Sequence, residues 1–173
     1  ILWQKTLGAE GFNYCSDFII NDKGHIVLTG TNVRDYFSGC YAPQNQSIIL
    51  MEVDLEGKIL WNRCYGSWSP DYGGVVTQCQ DGYVFAARVY GDGEFVEGYH
   101  HNPNTSQLYS DIWLVRTDWQ GFILWKKCLG GSNEDVPVSL ITDDAGDIYL
   151  FGKTRSDDYD VKRQLESNGT NSE

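Results

Sequence analysis

A short motif that recurs three times constrains the fold of this chain more than any other feature of the sequence. It combines two aliphatic residues, a tryptophan and a basic residue, and its copies are Ile1-Leu2-Trp3-Gln4-Lys5, Ile59-Leu60-Trp61-Asn62-Arg63 and Ile123-Leu124-Trp125-Lys126-Lys127. A glycine follows each copy at the same offset, at Gly8, Gly66 and Gly130. Copies spaced along the whole chain in this way indicate tandem supersecondary units.

Two further blocks recur in the same order. The first surrounds a turn glycine (Gly24, Gly82 and Gly146, in one register) and reads FIINDKGHIVLTG from Phe18, VVTQCQDGYVFAA from Val75 and SLITDDAGDIYLFG from Ser139. The second reads SIILMEVDLEG from Ser47 and DIWLVRTDWQG from Asp111. These are short runs of β-forming residues bounded by Asp and Gly, and no long window has helical periodicity.

The repeat unit is therefore predicted to be four antiparallel strands, A to D, in about 60 residues. In the first full unit we place A around Phe18 to Ile20, B at Ile26 to Thr29, C at Ile48 to Val53 and D at Ile59 to Cys64. Because a single sheet cannot bury both of its faces alone, tandem sheets of this kind pack against one another. The predicted fold class is all-β, with β-propeller-like blades of four antiparallel strands.

We treat residues 1–173 as a single partial β-propeller domain. It holds about 2.8 repeats, at about 1–58, 59–122 and 123–173, with a polar tail from about residue 155. A closed propeller typically needs about 4–8 blades. The remaining blades are therefore expected to come from a longer chain or from a second copy.

The third unit resembles the bacterial β-propeller repeats of the SBBP type and the WQKxLGG repeats of surface and secreted proteins of Bacteroidetes. The residues that carry this resemblance are Trp125, Leu129, Gly130, Gly131, Asp135, Gly146 and Gly152. The first unit matches through Trp3, Leu7, Gly8, Gly24 and Gly30, whereas the second has Arg88 where the closing glycine is expected. The resemblance implies an exported binding or scaffolding module at the bacterial cell surface, in the periplasm or secreted.

Composition excludes several classes of partner. Thirteen Lys and Arg face 24 Asp and Glu, for a net charge of −11, which argues against nucleic-acid binding because that needs a basic face. No apolar run approaches the length of a membrane span. The five cysteines show no C-x-x-C spacing, and no catalytic or cofactor motif occurs. We therefore expect no cofactor, no metal site and no recognisable catalytic residue, and we interpret Cys64 and Cys128 as small buried apolar residues.

The B–C connections, Thr31 to Gln46 and Val89 to Ser110, are long and unlike each other, whereas the A–B and C–D turns are short. Long variable loops on a regular frame are the usual place for function. The candidate ligand-binding residues in these connections are Tyr36, Tyr41, Phe95, Tyr99, His100, His101 and Tyr109. The alternative is that the aromatic rings pin each loop through a small core of their own and that the histidines are solvated loop residues.

The D–A connections place Asn13, Asp71 and Asp135 at equivalent positions of the three repeats. In a propeller these positions lie near the mouth of the central channel, so their side-chain oxygens are candidates for holding a ligand there. The alternative is that they cap the turn into strand A.

The functional hypothesis is a non-catalytic, exported β-propeller module that binds a protein or a glycan, or acts as a scaffold, through its long B–C loops. The alternative is a structural subunit or fragment of a larger outer-membrane or surface assembly. A glycan-active hydrolase or lyase is a third hypothesis, and only the acidic residues of the connections support it.

Overall fold

Ten antiparallel strands, and no helix, form the part of the chain that the computed structural model describes, which is residue 4 and residues 12–33 and 46–162. The strands are β1 (Phe12–Ile20), β2 (Ile26–Val33), β3 (Gln46–Val53), β4 (Ile59–Tyr65), β5 (Tyr72–Cys79), β6 (Gly82–Val89), β7 (Asp111–Asp118), β8 (Ile123–Leu129), β9 (Asp135–Thr142) and β10 (Ile148–Thr154). The all-β prediction is confirmed. The D strand predicted at Ile1 to Lys5 lies outside the described residues except for Gln4.

The strands form three sheets in which every strand pairs with the next along the chain. Sheet 1 has the order β1-β2-β3-β4, sheet 2 the order β5-β6-β7-β8, and sheet 3 consists of β9 and β10. The predicted strands A to D thus correspond to the four successive strands of sheets 1 and 2, and A and B correspond to the two strands of sheet 3. Within the described residues these sheets are open and do not close into a ring.

Two sequences of the form D-x-x-G form the tight turns that lead into the fourth strands, β4 and β8. They are Asp54 to Gly57 and Asp118 to Gly121. The Asp54 carboxylate accepts hydrogen bonds from the backbone N–H groups of Glu56 and Lys58, and Gly57 takes a left-handed conformation at φ 77°. Asp118 and Gly121 repeat this arrangement, with Gly121 at φ 80°. Local side-chain acceptors and a glycine that tolerates positive φ therefore explain why the hairpins recur.

The second unit departs from the register that its glycine predicts. Gly24 lies in the turn between β1 and β2 at φ 78°, whereas Gly82 pairs directly with Cys79 across a shorter turn and belongs to β6. The strand pairing makes Ala87, opposite Trp113, the counterpart of Gly30, opposite Ile49. The prediction that Arg88 replaces the closing glycine was therefore wrong by one residue, because the shorter turn moves β6 relative to the motif.

Consecutive sheets pack face to face, and we call the face toward the following sheet the forward face and the opposite one the rear face. Apolar residues from the forward face of sheet 1 and the rear face of sheet 2 form one core, which includes Ile48, Leu50, Phe85, Trp113 and Val115. The forward face of sheet 2 and the rear face of sheet 3 form a second core, which includes Val84, Ala86, Ile112, Leu114 and Leu140. Because successive side chains of a strand point to opposite faces, the strands of sheet 2 contribute apolar residues to both cores.

The forward face of sheet 3 remains exposed, with Ile141 54%, Tyr149 46% and Phe151 63% accessible. The segment that follows β10, predicted as a polar tail, folds back on the turn before β9. Ser156 is buried there, and Asp158 accepts a hydrogen bond from the Ser132 N–H at 2.8 Å.

The described cysteines differ in bonding state. Cys128 is buried and free, in agreement with its interpretation as a small buried residue. Cys64 is disulfide-bonded, so its interpretation as a simple apolar residue was wrong, and its partner lies outside the described residues. No helix long and apolar enough to cross a membrane occurs in residues 12–33 and 46–162.

Candidate functional site

The connection between β6 and β7, residues 90–110, dominates one end of the sheets, and we call it loop 90–110. Because successive strands are antiparallel, the turns before β5 and β9 and the segment after β10 lie at this same end. Contacts join them: Trp68 N–H donates to the Asp92 carbonyl, Asp135 N–H donates to the Ser110 carbonyl, and Asp160 N–H donates to the Gly130 carbonyl. We call this end the loop face.

A buried carboxylate at the start of β7 holds the loop. Asp111 is fully buried, and one of its oxygens accepts the His100 backbone N–H at 2.8 Å and lies 2.8 Å from His100 Nδ1. The Cys128 thiol donates to the same oxygen. Burial raises the pKa of Asp111 to about 6. His100, a predicted ligand-binding residue, therefore anchors the loop through its backbone N–H and the Nδ1 edge of its ring.

Two of the predicted aromatic residues point inward from the loop. The Phe95 ring packs edge-on against Tyr65 at 5.9 Å, and Val96 beside it is fully buried. The Tyr99 hydroxyl donates to the Tyr109 carbonyl at 2.5 Å, and burial raises the pKa of Tyr99 to about 12. These contacts pin loop 90–110 to the frame, so Phe95 and Tyr99 give it shape rather than a free ring surface.

Other side chains of the loop face are open to solvent. His101 is exposed and Tyr109 is half-buried, and the exposed Tyr159 ring packs against the His100 ring with centroids 4.7 Å apart and planes tilted by 40°. Trp68, in the turn before β5, is 66% exposed beside loop 90–110, and it is not among the predicted ligand-binding residues. Tyr36 and Tyr41 lie outside the described residues. An exposed indole beside a fixed loop is a surface on which a ligand can stack.

The D–A residues take two different positions. Asn13 is exposed on β1 opposite Asn32. Asp71 is fully buried and accepts hydrogen bonds from Ser67 N–H, Ser67 Oγ and Tyr90 N–H. Burial raises the pKa of Asp71 to about 6. Its carboxylate therefore caps its own turn and also holds the start of loop 90–110.

Asp135 repeats the position of Asp71 and accepts hydrogen bonds from Gly131 N–H and Ser156 Oγ. The carboxylates also explain the glycine that follows the second and third copies of the ILW motif, Gly66 and Gly130. A Cβ at Gly66 would lie 2.6 Å from an oxygen of Asp71, and a Cβ at Gly130 would lie 2.6 Å from an oxygen of Asp135. Any side chain there would collide with the cap.

An aromatic and charged cluster near the start of β5 was missed by the sequence analysis. The Arg88 guanidinium lies 5.9 Å from the Tyr72 ring centroid and 5.6 Å from that of Tyr90. It also donates to the Tyr90 hydroxyl and to the Glu134 carboxylate. The unusual arginine in the second unit was the only sequence signal for this cluster, which joins sheet 2 to the turn before β9.

A second buried carboxylate cluster lies at the opposite end of the sheets. Glu52 accepts hydrogen bonds from Asn21 Nδ2 at 3.1 Å and Trp61 Nε1 at 2.7 Å, and it lies 2.7 Å from His25 Nδ1. Burial acts to raise its pKa, but the contacts with His25, Trp61 and Asn21 prevail, so the pKa of Glu52 is lowered. Asn21 also donates to the Tyr83 hydroxyl, which ties sheet 1 to sheet 2.

Neither the Asp111 cluster nor the Glu52 cluster resembles a metal centre. No group of three or more His, Cys, Asp or Glu side chains that could hold a metal ion occurs among residues 12–33 and 46–162. A cavity of about 230 Å³ lies between sheets 2 and 3, lined by Ile112, Leu129, Gly130, Asp135, Gly152, Lys153, Thr154, Asp160 and Val161. Its walls come from β7, β8, β9 and β10 and from the segment after β10.

No family model matches the sequence, and no curated protein matches it.

Proposed function

We propose that the three sheets are consecutive blades of a β-propeller. Two four-stranded antiparallel sheets with strands in chain order, followed by a third that begins in the same way, support this proposal. Face-to-face packing of each sheet on the next supports it as well. In this proposal the blades that complete the ring come from a longer chain or from a second copy.

We further propose that the chain is a non-catalytic module that binds a protein or a glycan through the loop face. The observation that carries this proposal is the anchoring of loop 90–110 by Asp111, Phe95 and Tyr99, beside the exposed ring of Trp68. A long loop held in one conformation costs little entropy when a ligand binds. Exposed aromatic rings on such a loop supply contact area.

An exported location is part of the same proposal. The disulfide bond of Cys64 supports it, because structural disulfides persist in oxidising compartments such as the periplasm and the cell exterior. The excess of acidic residues is compatible with a solvated extracellular surface.

The binding proposal can be tested with an array of immobilised glycans and surface-protein peptides. We expect Trp68→Ala and Tyr159→Ala to weaken binding to any probe that the native chain retains by about tenfold each, because each removes an exposed ring from the loop face. Phe122→Ala is the matched control, since Phe122 is 57% exposed in the turn at the opposite end of the sheets. Equal binding by all three variants would show that the loop face is not the binding surface.

A further inference from the structure

A second cavity, of about 380 Å³, opens among the hairpin turns at the end of the sheets opposite the loop face. All three sheets contribute to its walls. Asp22 comes from the turn between β1 and β2, whereas Gln78 and Gln80 come from the end of β5 and the turn that follows it. Sheet 3 contributes Thr142 and Asp144. Sites for small ligands typically measure about 300–1,000 Å³, so the cavity is large enough to hold one.

Contacts between the turns fix the shape of this cavity. The Asp22 backbone N–H donates to Gln78 Oε1 at 3.0 Å, and Gln78 Nε2 donates to Asp22 Oδ2 at 2.6 Å. Gln80 Nε2 donates to the Asp144 carbonyl at 3.0 Å. The Thr142 hydroxyl donates to the Gln78 carbonyl at 2.6 Å. Sheets 1 and 3 are thereby both bound to sheet 2 at this end, so little ordering is needed when a ligand enters.

The walls offer both donors and acceptors of hydrogen bonds. A side-chain amide nitrogen carries two N–H groups, and Gln78 and Gln80 each use one of them in the contacts above. The Asp144 carboxylate accepts no hydrogen bond from the residues that the structure describes. A ligand therefore meets amide donors beside a carboxylate acceptor. Hydroxyl groups suit such a surface, because each of them both donates and accepts.

The charges in the walls narrow the class of ligand. The carboxylates of Asp22, Asp143 and Asp144 would repel an anion. A simple ammonium ion could pair with them, but it carries donors only and would leave the amide N–H groups of both glutamines without an acceptor. A saccharide without acidic groups supplies acceptors as well as donors.

An indole completes the cavity. Trp119 lies in the turn between β7 and β8, and its ring packs edge-on against Tyr83 with centroids 5.4 Å apart, which fixes its orientation. The Lys23 ammonium lies 5.6 Å from the centroid of the indole and adds a donor beside the ring. A sugar ring has an apolar face of C–H groups, and an aromatic ring provides contact area for such a face.

We propose that this cavity binds one ring of a saccharide that carries no acidic group. The hydroxyl groups of the sugar accept hydrogen bonds from Gln78 and Gln80 and donate to Asp144. Its C–H face lies against Trp119. The cavity and the loop face share no residue and lie at opposite ends of the sheets, so this inference does not depend on the function proposed for the loop face.

Saturation-transfer NMR with the full chain tests the proposal, with the methyl glycosides of glucose, galactose, mannose and N-acetylglucosamine as probes. We expect saturable binding of at least one of them. Asp144→Ala should raise its dissociation constant about tenfold or more, because a hydroxyl group of the ligand loses a charged acceptor. Asp147→Ala is the matched control, since Asp147 is exposed in the same turn, carries the same charge and does not line the cavity. This variant should bind like the native chain.

Three further measurements test the class of ligand and the place where it binds. Methyl glucuronide should not bind, because its carboxylate would face Asp22 and Asp144, and butylammonium should not displace the bound glycoside. Trp68→Ala, which changes the loop face, should bind like the native chain. The proposal is overturned if no glycoside binds saturably, if Asp144→Ala and Asp147→Ala lose binding equally, if the glucuronide binds, or if butylammonium displaces the glycoside. Loss of binding in Trp68→Ala would also overturn it, because the saccharide would then bind at the loop face, and the proposed function would stand.

Discussion

Three buried carboxylates hold a turn, a loop and donors from several elements in place in this protein. Asp71 caps the turn before β5, Asp111 holds loop 90–110, and Glu52 joins donors from three elements. Each acceptor satisfies buried N–H or O–H groups that would otherwise lose their hydrogen bonds to water. The consequences of changing them are therefore large and differ in their pH dependence.

Replacing Glu52 by Ala should lower the free energy of unfolding by about 2 kcal/mol or more. The substitution removes one of the two acceptors of the buried Asn21 amide and the acceptor of the half-buried Trp61 indole N–H. Urea unfolding followed by tryptophan fluorescence measures the change. Glu56→Ala, in the exposed turn after β3, is the control and should change stability by less than about 0.5 kcal/mol. Similar losses for both variants would contradict the role given to Glu52.

Stability should increase as the pH falls from 7 to 5. Asp71 and Asp111 have pKa values near 6 in the folded chain, above the ordinary value of 3.8. As the pH falls, these two carboxyl groups therefore take up protons in the folded state at a higher pH than in the unfolded state. Their contribution is complete below the ordinary pKa and is lost as the pH rises through about 6, which amounts to about 1 kcal/mol for each group between pH 7 and 5. The lowered pKa of Glu52 acts in the opposite sense, but only at lower pH.

Urea unfolding at a series of pH values checks this expectation. Asp111→Asn should remove about half of the increase, because it removes one of the two titrating groups. Asp157→Asn, at an exposed position, controls for the general loss of negative charge. An unchanged pH profile in Asp111→Asn would show that this carboxyl does not titrate in the range.

At the scale of elements, loop 90–110 is ordered by a few contacts at its centre. His100 to Asp111, Tyr99 to the Tyr109 carbonyl and the buried Val96 divide it into short spans. The loop therefore behaves as an attached part of sheet 2, although it has no regular secondary structure. Local opening of such a segment depends on its own anchors more than on the stability of the sheets.

Replacing His100 by Ala should increase chymotrypsin cleavage within loop 90–110 about fivefold or more, because the loop loses its side-chain contact with Asp111. The melting temperature should change little, since the sheets keep their cores. His101→Ala is the matched control, because the neighbouring side chain is exposed. Limited proteolysis with mass spectrometry gives both rates, and equal rates would contradict the anchoring role.

At the scale of the whole molecule, the sheets approach one another closely at β5. A Cβ at Gly73 would lie 2.3 Å from the Gly30 carbonyl oxygen of β2, so the backbone of one sheet touches that of the next. A Cβ at Gly74 would lie 2.1 Å from the Ala86 carbonyl oxygen of β6 in its own sheet and 3.1 Å from a ring carbon of Pro137 in β9. Sheet packing here depends on the absence of side chains on β5.

Gly73→Ala should lower the free energy of unfolding by about 2 kcal/mol or more, because the added methyl group must force two backbones apart. Gly24→Ala provides the comparison. Nothing lies within 4 Å of a Cβ at Gly24, so only its positive φ opposes the substitution, at a cost of about 1 kcal/mol. Thermal or urea unfolding measures both, and a smaller effect at Gly73 than at Gly24 would contradict the close packing.

Much of the frame follows from the repeated motif. Strand number, strand order and the D-x-x-G turns were predicted because period-2 alternation and turn residues act over a few neighbours. The register of the second unit was predicted wrongly at Gly82, because a glycine marks a turn without stating its length. The disulfide bond of Cys64 was missed, because the pairing of cysteines depends on which distant residues folding brings together.

The sequence by itself thus determined the class of fold and the end of the sheets where long connections gather. Only the tertiary structure decided which side chains of those connections remain free. Phe95 and Tyr99 face inward, and Asp71 and Asp135 are buried as hydrogen-bond acceptors that join their turns to neighbouring segments, whereas Trp68 is exposed to solvent. The physical reason is that strand formation is governed by local preferences, whereas burial and pairing depend on residues distant in the chain that packing brings together.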